Sequence, residues 1–108
     1  MDKKLLGRKI NMVRKERGLT SEHLSELCNI GATYLRQIES GAKMPSLPIF
    51  ITICRELQIS PAYLLSDYLS DNNDYGIEVL AELWQTATPE QLKVIVPMLR
   101  SALESIHD

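Results

Sequence analysis

The sequence predicts an all-α protein: five short helices, a polar linker, and two longer helices after it. Three observations carry this expectation. Apolar residues recur at helical spacing through most of the 108 residues. Start and stop signals bracket those stretches. No stretch alternates with the period of two that a half-buried strand requires.

The first helix is read from Leu5/Leu6, Ile10 and Val13, and Gly18 ends it in the usual C-cap position. Thr20 is an N-cap, with Glu22 near the positive end of a short second helix at about 21–28 that carries Leu24 and Leu27. A tight turn, Cys28-Asn29-Ile30-Gly31, leads into a third helix at about 32–40, closed by Gly41. Pro45 and Pro48 flank Ser46, where a fourth helix begins and runs through Leu57. Ser60-Pro61 is an N-cap with proline at the first helical position, opening a fifth helix to about Ser66.

The polar run Ser70-Asp71-Asn72-Asn73-Asp74 is the best linker, so the chain divides into a unit at 1–68, a linker at 69–74 and a helical segment at 75–108. The segment's two helices are expected at about 75–86 and 89–106. Thr88 caps the second, Pro89 opens its first turn, and Gln91 is placed to complete a capping box. Pro97 should bend it.

Composition narrows the function. Hydrophobic residues at 44% and charged ones at 24% exclude a disordered chain, a collagen-like repeat and a disulfide scaffold. No apolar run approaches the ~20 residues of a membrane span, and the N-terminus lacks a secretory apolar core, so a cytoplasmic location is expected. Cys28 and Cys54 form no CxxC pair and read as reduced, buried thiols. His23 and Cys28 lack metal-ligand spacing, and no third ligand presents itself. No glycine-rich phosphate loop, HExxH or nucleophile–base pair is present. The expectation is a non-enzyme without metal or cofactor.

The net charge of −2 conceals a division. Residues 1–45 hold nine basic and five acidic side chains; residues 46–108 hold three basic and nine acidic ones. A basic front with an acidic back suggests that only the front meets a polyanion.

The third helix carries the sharpest signal. On a helical wheel Ala32, Thr33, Arg36 and Gln37 fall on one arc, and Tyr34, Leu35 and Ile38 fall on the other side. One face is apolar; the other is narrow, polar and cationic, suited to the major groove of double-stranded DNA. Gln37 suits an adenine edge, and Arg36 suits guanine or a phosphate. The methyl groups of Ala32 and Thr33 suit a thymine methyl. A short helix before it, across a tight turn, gives the helix-turn-helix arrangement.

Gly18-Leu19-Thr20, Leu24, Leu27, the string Tyr34-Leu35-Arg36-Gln37-Ile38-Glu39-Ser40-Gly41, Pro45-Ser46-Leu47 and Leu57-Gln58-Ile59-Ser60 resemble the Cro/repressor (Xre-type) helix-turn-helix family, over about residues 5–66. The resemblance implies a five-helix lambda-repressor-like domain, usually a dimer on a near-palindromic operator and usually a repressor of bacterial or phage type. It implies base contacts from Ala32, Thr33, Arg36 and Gln37. It implies backbone contacts from Ser21, Gly31 and Lys43; the Tyr34 hydroxyl is a further candidate for a phosphate, with packing of its ring as the alternative. Ser21 stands where the family has a longer glutamine, and Gly31 where it often has a capping Ser or Thr. Glu39 and Arg14 match a family pair that looks like a structural ion pair. Lys3, Lys4, Arg8 and Lys9 are further candidates for phosphate, against a solvated helix face.

The C-terminal segment is apolar beyond what one neighbour needs. Leu80, Leu83 and Trp84, then Leu92, Ile95, Val96, Leu99 and Leu103, form the expected interface of a homodimer. Either these helices pack back on the N-terminal unit or they pair with a second chain; pairing is the preferred reading. The alternative function is a protein-interaction or antitoxin-like adaptor using the same fold. No motif identifies a small-molecule or peptide effector.

Overall fold

Leu6, Ile10 and Val13 stand at helical spacing, and in the computed structural model all three are fully buried on one face of α1 (Lys4–Glu16). The structure describes residues 3–68, 85, 87–93, 96 and 97. Within them lie α1, α2 (Ser21–Leu27), α3 (Ala32–Ser40), α4 (Leu47–Leu57), α5 (Pro61–Leu64) and a 3-10 turn, Ser66–Tyr68. Among the described residues there is no strand, as the periodicity predicts.

Local chemistry sets most boundaries. Thr20, Ser46 and Ser60 each accept a backbone N–H from three residues ahead, at 3.0, 3.4 and 3.1 Å. Ser46 is thus the cap of α4, and the helix starts one residue later than the sequence suggests. At the end of α1, Gly18 takes φ +73°; its N–H donates to the Lys15 carbonyl and that of Leu19 to the Arg14 carbonyl. This double closure satisfies carbonyls the helix would leave open. Asn29 does the same for α2 at φ 56°. The fifth helix ends at Leu64, because the chain tightens into the 3-10 turn.

The core gathers Leu24 from α2, Leu35 and Ile38 from α3, and Phe50, Ile53 and Leu57 from α4 around the α1 face, all at 1% exposure or less. Burying each such side chain contributes about 1.5–3 kcal/mol. Two glycines then fix how closely α1 crosses α3. A Cβ at Gly7 would overlap the carbonyl oxygens of Ile38 and Glu39, and one at Gly41 would press on Lys4. The backbones therefore meet directly, and the end of α3 is seated on the start of α1.

The capping box at Thr88 forms reciprocally. The Thr88 N–H donates to Gln91 Oε1 at 2.9 Å, and the Gln91 N–H donates to Thr88 Oγ1 at 3.2 Å. Beyond it, Leu92 and Val96 are half-buried and, with Ala87, pack against the core of the same chain. These two residues, assigned from sequence to a dimer seam, already have an intrachain neighbour. Leu80, Leu83, Trp84, Ile95, Leu99 and Leu103 lie outside the described residues, as do the linker and all of the segment's first helix except Gln85. No helix among the described residues is long and apolar enough to cross a membrane.

Candidate nucleic-acid interface

α3 is held from behind. Leu35 and Ile38 point into the core, and the Tyr34 ring packs partly against it. At the far end, Glu39 receives the Arg14 guanidinium: Nε lies 3.0 and 3.2 Å from its two carboxylate oxygens, and Nη2 lies 3.0 Å from one of them. Asn11 also donates to this carboxylate, and Arg14 Nη1 donates to the Leu19 carbonyl at 2.7 Å. The two charged side chains are 9% and 8% exposed. A buried pair stands only if it is this fully hydrogen-bonded. Its role is structural: it locks α3 to α1.

The other face of α3 is turned outward. Thr33 and Arg36 are exposed, and Ala32 and Gln37 are half-buried. The pairs 32/36 and 33/37 are each four residues apart, so the four side chains share one face of the helix. Gly31 caps α3 from an exposed position without a side-chain bond. Ser21 opens α2, half-buried, and Lys43 stands exposed in the loop after α3, its N–H donating to the Gln37 carbonyl. Among the described residues, the side chains of Thr33, Gln37 and Lys43 make no hydrogen bond; the Ser40 hydroxyl reaches only the backbone carbonyl of Gln37. Their polar groups are available to a partner.

Arg36 is the exception. Its Nη2 is paired with Glu22 Oε1 from α2. The Glu22 carboxyl is held below its ordinary range first by its own backbone N–H at the start of α2 and then by Arg36. In the sequence Glu22 stands out only as a charge near the start of the second helix. The two residues are 14 positions apart, and only the packing of α2 on α3 joins them.

Other basic candidates are differently employed. Lys9 lies 3.4 Å from the Asp67 carboxylate and over the Tyr63 ring at 4.9 Å, tying α1 to α5 and the 3-10 turn. Arg17 donates to the Leu57 carbonyl at 2.9 Å and so closes the C-terminus of α4, a contact with no local sequence signal. Arg8 is exposed. Both cysteines are buried free thiols, as their spacing suggests, and burial pushes Cys28 up to about 11 and Cys54 up to about 12.

The chain is similar to known proteins. The HTH-type transcriptional regulator PrpR of Mycobacterium tuberculosis is 26% identical over 106 residues, covering 94% of this chain and 22% of the relative. The chain thus spans about a fifth of that protein's length. The crystal structure of the clp gene regulator ClgR from Corynebacterium glutamicum matches with a TM-score of 0.54 at 22% identity, covering 99% of this chain and 95% of that one. That likeness is one of fold. The model of the family described as Helix-turn-helix domain matches residues 7–70, which take in α2, α3 and the turn between them. The chain belongs to this helix-turn-helix family, in its Xre-like form.

Proposed function

We propose that this chain is a sequence-specific DNA-binding transcriptional regulator that inserts α3 into the major groove. The observation that carries this reading is the division of α3. Leu35, Ile38 and Glu39 anchor it to the core, while Ala32, Thr33, Arg36 and Gln37 face out together. Thr33 and Gln37 supply unengaged donors and acceptors for base edges, and Ala32 supplies a methyl contact. Ser21, Gly31, Tyr34 and Lys43 border the face and suit the phosphate backbone, which positions the helix without reading sequence. Family membership supports this, as do the names of the similar proteins.

The finer reading is a repressor acting as a homodimer on a palindromic operator. A two-fold pair would set two α3 helices about 34 Å apart, one turn of DNA. The apolar surplus of residues 75–108 supports pairing, with the exposed sides of Leu92 and Val96 as part of the seam.

Selection from a random duplex pool tests both levels. An enriched inverted repeat with half-sites one helical turn apart is the expected result. An enriched single half-site would keep DNA reading and remove the dimer. Enrichment of nothing, with no retention on heparin, would overturn the reading in favour of a protein-binding adaptor.

A further inference from the structure

Glu22 is an acidic side chain placed among the outward residues of an interface read as meeting a polyanion. It touches Arg36, the one guanidinium on the outward face of α3. Both side chains are exposed, at 62% and 55%. Ion pairs this wet contribute little to stability, and α2 and α3 are already joined through buried Leu24, Leu35 and Ile38. The fold does not need the pair, so its consequence lies at the surface.

We propose that Glu22 is a specificity-determining residue of this interface: it holds Arg36 in place and weakens binding to arbitrary DNA more than to the cognate duplex. This rests on α3 being the DNA-reading helix. Two physical effects combine. The first is positional. Glu22 takes one terminal nitrogen of a group with five N–H donors, and the remaining donors stay free for a guanine edge. That single contact biases the guanidinium toward one orientation and leaves free the paired donors that bidentate recognition requires. The second is repulsive. Binding to arbitrary sequence is driven by cation–phosphate attraction. Glu22 cancels the long-range charge of Arg36 and repels any phosphate that approaches it. An uncharged base edge meets far less of that repulsion, so the carboxylate discriminates against the wrong mode of contact.

The test is an anisotropy titration with two labelled duplexes: one of random sequence, and one enriched by the wild-type protein from a random pool. The proteins are wild type, E22Q, R36A and E22Q/R36A, with E22S as a second neutral variant should E22Q unfold at lower temperature. E22Q is expected to bind the random duplex several-fold tighter, with a log–log salt slope steeper by about 0.9 for the one cation released. The ratio of enriched to random affinity should fall, and that fall should vanish in the R36A background. An unchanged ratio and slope in E22Q, or an equal loss on both duplexes, overturns the role of Glu22. Wild-type protein that enriches no duplex from the pool and does not bind the random one overturns the DNA reading itself, and the two failures are thereby distinct.

Discussion

Gly7 of α1 lies flush against the Glu39 carbonyl at the end of α3, leaving no space for a Cβ between the two helices. The same Glu39 holds Arg14 through its side chain. One residue of α3 is thus fixed twice to α1, once by backbone approach and once by charge. The outward face of α3 takes its angle from these two contacts.

Gly7→Ala should therefore be destabilising, although alanine is the better helix former. The methyl group must push α1 from α3, at a cost of about 1–3 kcal/mol against a propensity gain of up to about 1. A thermal unfolding midpoint lower by several degrees is expected; an unchanged or raised midpoint would contradict the close crossing.

Glu39→Ala should cost about 3–5 kcal/mol, because it leaves Arg14 charged and buried without a partner. The double variant Arg14→Met/Glu39→Leu should recover most of that loss. A double-mutant cycle by urea unfolding, with Arg14→Met and Glu39→Leu as the single variants, measures the coupling, and simple additivity of those single changes would show that the pair does not act as one unit.

Gly31→Ser should stabilise α3 by a few tenths of a kcal/mol. The backbone at residue 31, φ −72° and ψ 146°, suits an N-cap serine, and a Cβ there meets nothing within 4 Å. A small upward shift in the calorimetric midpoint is the expected outcome.

The thiols make stability fall at alkaline pH. Their folded values, about 11 for Cys28 and about 12 for Cys54, stand above the ordinary 9.0. The folded state therefore holds its protons longer than the unfolded state. The stabilisation is fully present below pH 9 and is lost as the pH rises through 11 to 12. Urea midpoints across that range should decline in the wild type. In Cys28→Ala/Cys54→Ala the baseline drops, because cavities open, and the thiol part of the slope disappears.

Gln37→Ala should weaken binding to the selected duplex by about 1–3 kcal/mol and relax the preference at one base position. A titration series over single-base variants of that duplex checks this. Equal preference in wild type and variant would remove Gln37 from the readers.

Short-range physics was legible in the sequence. The caps at Thr20, Ser60 and Thr88 are each made within three residues, so residue type and spacing determine them; Ser46, read as the first residue of its helix, is a cap of the same kind. The two faces of α3 follow from helical periodicity, and Leu35 and Ile38 are buried as the wheel predicts. The resemblance to the helix-turn-helix family added Arg14 with Glu39, a pair 25 residues apart that no periodicity would join.

Contacts between sequence-distant elements were decided by tertiary structure alone. Glu22 meets Arg36 only because α2 packs on α3; Lys9 reaches Asp67 and Tyr63 only because the chain returns past α1; Arg17 closes α4 across 40 residues. The direct backbone crossing at Gly7 belongs with them, since a glycine within a helix resembles a propensity defect until its neighbour is known. The sequence by itself determined which residues turn into helices and which face of each is apolar, because those depend on neighbours three and four positions away. The tertiary structure decided which charges are engaged and at what angle α3 is presented, because those depend on where separate helices come to rest.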